Sequence, residues 1–192
     1  MKKVLLVSSL VLVGLWIVGS AFAVDFSADM VMTSGGKTTT SKVFTKGDKS
    51  RMEPQGQPTY TIVRGDKKLM WMVMTDQKAY MEMIPDSKQA PQSGDKVTGE
   101  VSRKLIGKET IDGRSTEKYE VTFKDGSKTE KMYQWMATDL KLPVKMAAVD
   151  GSWTMEYKNI KMGAQADSLF EVPSGYKKME MPAMPQMPKM PK

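Results

Sequence analysis

The sequence contains no cysteine and no histidine. Disulfide bonds, thiolate nucleophiles and the imidazole bases that act near neutral pH are therefore excluded. The imidazole and thiolate ligands of most zinc sites are excluded as well. Carboxylates are plentiful, but none stands in a pattern that indicates an acid and base pair, and most are expected at the surface. We therefore expect a protein that is not an enzyme and whose core alone holds the fold.

One long hydrophobic run stands at the start of the chain. Val4–Val18 follows two lysines, and the segment closes with Ala21-Phe22-Ala23, a small-x-small cleavage site. This arrangement is typical of a secretory signal peptide, so we expect residues 1–23 to be cleaved on export to the periplasm. The alternative is an uncleaved anchor, because Val4–Ala23 is just long enough to span a bilayer. Since no cysteine follows the signal, the exported chain is not expected to be a lipoprotein.

Positive charge is in excess but is not clustered. The 29 lysines and arginines exceed the 22 acidic residues and give a net charge of +7. Lysines scattered among acids are typical of a solvated surface. The sign of the charge allows attraction to an anionic envelope membrane surface, but no basic cluster supports this interpretation. No nucleic-acid reader motif is present, so we expect no nucleic-acid partner.

Turn residues interrupt the chain at short intervals and separate runs in which apolar and polar residues alternate. These runs are Phe26–Thr33, Thr38–Thr45, Thr59–Arg64, Lys68–Met74, Ala79–Ile84, Val101–Glu109, Thr116–Lys124 and Lys131–Ala137. No convincing helical period appears. The pattern predicts a mainly β fold, a strongly curled antiparallel sheet or half-open β-barrel with little helix. We expect one domain over residues 24–179.

Three local features refine this prediction. Asp150-Gly151 lies between the alternating runs Val144–Val149 and Ser152–Lys161 and predicts a tight hairpin, because both turn residues favour positive φ. Gly107 lies inside a strand and indicates a bulge. The polar segment Pro85–Gly99 contains two prolines and predicts a loop across the sheet.

Methionine is unusually frequent, with 19 residues, many of them two positions apart. Spacing by two places a set of side chains on one face of a strand. Methionine can simply fill an irregular core, or it can form an adaptable apolar surface for varied hydrophobic partners. Thioether clusters can also bind Cu(I), a soft ion. The composition alone leaves these three interpretations open.

Two methionine-rich segments, Met70–Met74 and Tyr80–Ile84, flank a short turn at Asp76-Gln77 and should pair as a hairpin. Their methionines would then form one patch on a single face, with Trp71 and Val73 on the other. We predict that an acyl chain or another apolar group contacts Met72, Met74, Met81 and Met83.

The C-terminal residues 180–192 repeat methionine and proline with a period of three. Proline every third residue favours polyproline II, so we predict a disordered, extended tail of about 37 Å, at about 3.1 Å per residue. Its thioethers are the candidate Cu(I) ligands: Met181, Met184, Met187 and Met190. No other cofactor is expected.

A family resemblance is carried by residues spread over most of the exported chain. They are Lys49-Ser50-Arg51-Met52-Glu53, the strands around Trp71 and Tyr80, Gly107…Gly113…Lys118-Tyr119-Glu120-Val121, Trp135…Asp139-Leu140…Leu142-Pro143-Val144-Lys145, Tyr157-Lys158-Asn159-Ile160, and Leu169-Phe170-Glu171-Val172-Pro173-Ser174-Gly175-Tyr176. In their order and spacing these residues resemble the LolA-like family of periplasmic outer-membrane lipoprotein carriers. The resemblance is strongest to the family's small relatives of unknown function.

The resemblance implies a half-open barrel whose concave side binds acyl chains under a helical lid. It also implies a hydrophobic ligand or a lipoprotein as partner. Arg51 matches the arginine that latches the lid in the carriers, and it is included with the four methionines among the candidate ligand-binding residues. The sequence departs from the family at the lid, because the exported chain begins almost directly with a strand and leaves no room for a long N-terminal helix.

Three functions follow from these patterns. The first is an exported, non-catalytic module that binds a hydrophobic ligand in the concave face of a half-barrel. The second is a periplasmic Cu(I)-binding protein that uses methionine clusters. The third is an envelope-stress or protein-interaction module built on the same half-barrel.

Overall fold

The computed structural model of the chain describes residues 25–84 and 96–180. Twelve strands occupy most of them. They are β1 (Phe26–Ser34), β2 (Lys37–Lys46), β3 (Lys49–Pro54), β4 (Thr59–Arg64), β5 (Leu69–Met74), β6 (Ala79–Met83), β7 (Glu100–Ile111), β8 (Arg114–Asp125), β9 (Lys128–Ala137), β10 (Leu142–Ala148), β11 (Trp153–Met162) and β12 (Lys177–Met179). Two 3₁₀ turns, Gly65–Lys67 and Asp167–Phe170, are the helical elements of these residues, and neither is a helix that could cross a membrane.

All twelve strands belong to one sheet, in the order β12-β6-β5-β4-β3-β2-β1-β11-β10-β9-β8-β7. Two meanders, β1 to β6 and β7 to β11, are joined where β1 pairs with β11. Every neighbouring pair is antiparallel except β12 and β6. The edge strands β7 and β12 do not pair with each other, so the described sheet is curled but not closed. The predicted mainly β fold is confirmed.

Most of the expected strands form, and their turns follow the residue types present. At Asp112-Gly113 both residues have positive φ, 47° and 75°, as a two-residue hairpin turn requires. The hairpin of β10 and β11 also forms, but its predicted tight turn is wrong. Four residues, 149–152, lie between these strands, and in the Asp-Gly pair only Gly151 has positive φ. The bulge expected at Gly107 is confirmed by the register shift between Leu105 and Gly107.

Two strands have no clear signal in the sequence. Strand β3 is half-buried along its whole length, so its residues do not alternate cleanly between apolar and polar. Strand β12 has three exposed residues and is defined by its pairing with β6 rather than by its composition. The predicted signal peptide, the methionine-proline tail and all but a few residues of the loop Pro85–Gly99 lie outside the described residues. The division into leader, domain and tail stays a prediction.

Two buried clusters lie on opposite faces of the sheet. The larger one is built by β1, β2 and β8 to β11 and includes Phe26, Val121, Leu142 and Met155, none of them more than 2% exposed. Each of these side chains contributes about 1.5–3 kcal/mol when removed from water. Among the described residues no second layer of strands or helices covers this face, so we infer that the sheet curls towards it and that it is the inner face.

The smaller cluster lies on the other face of β4 and β5. It contains Tyr60, Ile62, Trp71 and Val73, and Phe170 from the C-terminal 3₁₀ turn completes it. Leu169, Val172 and Tyr176 pack around it. The segment that follows β11 therefore covers the outer face of the first meander.

The inner core gives a direct test. Met155 is fully buried, whereas Met162, on the same strand and the same face, is 41% exposed. We predict that Met155→Ala lowers the free energy of unfolding by about 2–5 kcal/mol, because it leaves a cavity. The control Met162→Ala should change it by about 0.5 kcal/mol or less. Urea denaturation measures the free energy of unfolding of both variants. Equal decreases in the two variants would show that the inner face is not the core.

Candidate functional site

The hairpin of β5 and β6 brings the predicted methionines together. Met70 pairs with Met83, Met72 with Met81, and Met74 with Ala79. Directly opposite residues in an antiparallel pair project to the same side. Met70, Met72, Met74, Met81 and Met83 therefore form one continuous patch, here called the methionine patch. The predicted pairing of these segments is confirmed.

The methionines of the patch share one face of the sheet with the other described methionines, which spacing by two does not reveal on its own. Of the 19 methionines, Met1 and the four at 181, 184, 187 and 190 lie outside the described residues, and the remaining 14 are all in strands. Strand alternation and cross-strand register place all 14 on the inner face. The members outside the patch are Met30, Met32, Met52, Met132, Met136, Met146, Met155, Met162 and Met179.

Burial divides these methionines into two groups. Met132, Met146 and Met155, in the second meander, are buried members of the inner core. The five residues of the methionine patch are all half-buried, and neither buried cluster includes them. The inner face is thus closed over β8 to β11 and open over β5 and β6.

The other face of β5 and β6 is already occupied. Trp71 and Val73 are buried there beneath Phe170, as their alternation with the methionines predicts. The Nε1–H of Trp71 donates to Glu82 at 3.0 Å. The outer side of the hairpin is therefore packed, and within residues 25–84 and 96–180 neither buried cluster includes the methionines of its inner side.

A buried arginine holds the C-terminal segment against the outer face. The guanidinium of Arg64, 4% exposed, donates to both oxygens of Asp66 at 2.8 and 2.6 Å and to the carbonyl of Phe170 at 3.2 Å. It also pairs with Glu171. These partners satisfy a charge that would otherwise be costly to bury. The hydrogen bond from Arg64 lowers the pKa of Asp66 from its ordinary 3.8 to about 2.

Arg51 lies on the outer face, so the structure does not bring it to the methionine patch. Its guanidinium lies 3.9 Å from the ring centroid of Tyr60, and it donates to Glu53 at 2.6 Å and to the carbonyl of Leu169 at 3.1 Å. The prediction that Arg51 binds a ligand stays a prediction, and a ligand at Arg51 would lie on the face opposite to the methionine patch. In the described residues Arg51 contacts the 3₁₀ turn Asp167–Phe170 rather than a long helical lid.

A polar groove of about 610 Å³ lies beside Arg51 on the outer face. Its lining residues are Asp29, Thr40, Lys42, Arg51, Glu53, Pro54, Gln55, Gln57, Thr59, Tyr60 and Thr75. Burial raises the pKa of Tyr60. Sequence reasoning does not find this groove, because its residues come from four strands and two turns.

The candidate Cu(I) ligands of the tail, Met181, Met184, Met187 and Met190, lie outside the described residues. Within residues 25–84 and 96–180, no group of three or more His, Cys, Asp or Glu residues is arranged to hold a metal ion.

Residues 27–142, more than half of the 192-residue chain, match the family described as "Domain of unknown function (DUF4412)". The chain belongs to the DUF4412 family. The predicted resemblance to relatives of unknown function is confirmed by this match. No curated protein sequence matches this DUF4412 chain.

Solved structures similar to the DUF4412 chain include MucB in complex with MucA(peri). That match has a TM-score of 0.55, 17% identity, and coverage of 81% of this chain and 56% of the MucB chain. The Pseudomonas aeruginosa MucA/MucB complex matches with a TM-score of 0.54 at 16% identity, covering 80% of this chain and 59% of the other. LolA superfamily protein NE2245 from Nitrosomonas europaea is also similar, with a TM-score of 0.36, 15% identity, and coverage of 81% and 96%. At these identities the MucB matches show a shared fold only, and the chain spans less than two thirds of the MucB chains.

The Arg64–Asp66 contact makes the stability depend on pH in a defined window. Because the pKa of Asp66 is about 2 in the folded chain and 3.8 ordinarily, its contribution is complete above about pH 4 and is lost as the pH falls towards 2. We predict that Asp66→Asn flattens the loss of stability between pH 4 and 2. Urea unfolding at pH 5, 4, 3 and 2 measures this, and an unchanged pH profile in the variant would contradict the assignment.

Proposed function

We propose that this protein is an exported, non-catalytic module that binds a hydrophobic ligand, such as a lipid, an acyl chain or the lipid part of a lipoprotein, on its inner face. The observation that carries the proposal is the half-buried methionine patch, which neither core cluster includes. Unbranched thioether side chains adapt to apolar partners of different shape. Open, contiguous apolar surface of this kind is typical of a binding site.

The composition of the patch supports binding without catalysis. Its neighbours on β4 facing the same side are Thr59, Thr61 and Val63, and no carboxylate, hydroxyl–base pair or other titratable pair stands among them. Lys177 on β12 is the one charged side chain at a paired position, and it is exposed. At these described positions the two threonine hydroxyls have no base paired with them, and the surface offers mainly apolar contact.

The site can be tested with a neutral fluorescent probe, N-phenyl-1-naphthylamine. A neutral probe is needed because the chain has a net charge of +7, which would attract an anionic dye by charge alone. We predict that Met72→Asp/Met81→Asp weakens probe binding at least about tenfold, because two carboxylates at the centre of the patch must be desolvated by an apolar ligand. Both residues are half-buried, so the variant should stay folded.

The matched control is Val101→Asp/Ile106→Asp, which places the same charges at two exposed apolar residues of β7, 59% and 43% accessible. It should bind the probe as the wild type does. Circular dichroism and urea unfolding report the fold of each variant. If the methionine double variant unfolds, these methionines are core, and if it stays folded with unchanged probe binding, the site lies elsewhere.

A protein partner is the second candidate, and the edge strand β7 favours it. This strand has 12 residues, one free edge and three exposed apolar side chains, Val101, Leu105 and Ile106. Free, apolar strand edges pair readily with another chain. MucB, which shares the fold, is described in complex with MucA(peri). If a protein partner binds at β7, the variant Val101→Asp/Ile106→Asp should lose partner binding. The variant Met72→Asp/Met81→Asp should retain it.

A further inference from the structure

Three methionines from three adjacent strands stand in one row at the open end of the inner face. Met72 on β5 is directly opposite Met81 on β6, and Met81 is in register with Met179 on β12. The row is here called the thioether row. The sequence separates Met179 from Met81 by almost a hundred residues, so only the parallel pairing of β12 with β6 reveals the grouping.

Contacts on the outer face fix the position of Met179. Its neighbour Lys178 points to that face, where its Nζ donates to Glu82 at 2.7 Å. Glu82 also accepts from Trp71 at 3.0 Å, so the anchor is tied to the buried outer cluster. The backbone N–H of Lys177 donates to the carbonyl of Lys78 at 2.9 Å. Because side chains alternate along a strand, anchoring Lys178 outwards directs Met179 inwards, beside Met81.

The geometry of the row suits a shared ligand. Directly opposite residues of an antiparallel pair have Cβ atoms about 4.5–5.5 Å apart. Methionine has three rotatable side-chain bonds, so three sulfurs at this spacing can converge on one point above the sheet. Met70 and Met83 form the next pair on the same face along β5 and β6.

The chemistry of the row selects the ligand. Thioethers are soft, neutral donors that bind Cu(I) and do not hold Mg²⁺, Ca²⁺ or Zn²⁺. The chain has no cysteine or histidine that would compete for the ion. Met72 and Met81 are half-buried and Met179 is 43% exposed, so an ion can reach the sulfurs without unfolding of the sheet.

We propose that Met72, Met81 and Met179 bind one soft monovalent cation of the Cu(I) class. The site shares two residues with the proposed apolar ligand face, but it uses sulfur lone pairs rather than apolar area and does not depend on whether a hydrophobic ligand binds. Unlike thioethers on an unordered segment, these three are held by strand pairing, so little ordering entropy is lost on binding.

Silver is a redox-stable probe of such a site. The experiment is isothermal titration of the full exported chain with Ag⁺ in chloride-free buffer, followed by Cu(I) competition with a chelator. Met72→Leu/Met81→Leu/Met179→Leu removes the sulfurs but keeps the volume and apolarity, so the fold should be retained. We expect Ag⁺ affinity at the tightest site to fall at least about tenfold, since loss of even outer-shell partners costs a metal site 10–100-fold. The naphthylamine probe with Met72→Asp/Met81→Asp tests the proposed function, whereas Ag⁺ affinity in the leucine variant tests this proposal, so the failure of one is distinguishable from the failure of the other.

Two matched triple variants locate the site. Met30→Leu/Met136→Leu/Met162→Leu removes three thioethers elsewhere on the inner face, and Met184→Leu/Met187→Leu/Met190→Leu removes three from the tail. Both should keep the tightest Ag⁺ site. Equal losses in all three variants would overturn the proposal, because binding would then follow methionine number, and a loss confined to the tail variant would overturn it in favour of the tail. If the first triple variant is unstable, Met81→Leu alone, at the centre of the row, should give the same loss.

Discussion

The pairing of β1 with β11 is the contact on which the rest of this structure depends. It joins two meanders that are each local in sequence, and residues as distant as Met32 and Met155 become direct neighbours through it. The same pairing makes the inner face continuous from β6 to β8, so methionines from both halves share it. Without this contact, each meander would have to bury its apolar face alone. The buried inner-face residues of β1 and β2, Phe26, Ala28 and Val43, belong to the cluster that they share with β8 to β11.

The two faces of the first meander have different roles in this account. The outer face is covered by the C-terminal segment, with Phe170 buried against Trp71 and with Arg64 neutralised by Asp66 and Glu171. This packing stiffens the β5–β6 hairpin from behind. The inner face of the same hairpin carries only methionines and small residues at its paired positions, and it is left half-buried. The outer face of the hairpin is packed, and its inner face carries flexible methionine side chains. This arrangement suits the hydrophobic binding surface that we propose.

Local features of the sequence predict much of this fold, and non-local ones are missed. Alternation and turn residues predict ten of the twelve strands and the β5–β6 pairing, because period and turn chemistry act over a few residues. Spacing by two and the predicted hairpin correctly place Met72 and Met81 on one face of the sheet and Trp71 on the other face. The sequence does not predict that β12 pairs with β6, that Phe170 docks on Trp71, or that Arg51 lies on the outer face. The docking of Phe170 and the placement of Arg51 depend on contacts about a hundred or more residues apart, and β12 is a strand of three exposed residues.

The most direct test of the account is methyl NMR of the exported chain labelled with [methyl-¹³C]methionine, titrated with lysophosphatidylcholine below its micelle concentration. A zwitterionic ligand avoids binding by the net charge of the chain. The account predicts saturable shifts of the methyl signals of Met70, Met72, Met74, Met81 and Met83, while those of the buried Met132, Met146 and Met155 stay in place. Shifts spread evenly over all methionines, or no shift at saturating ligand, would contradict it.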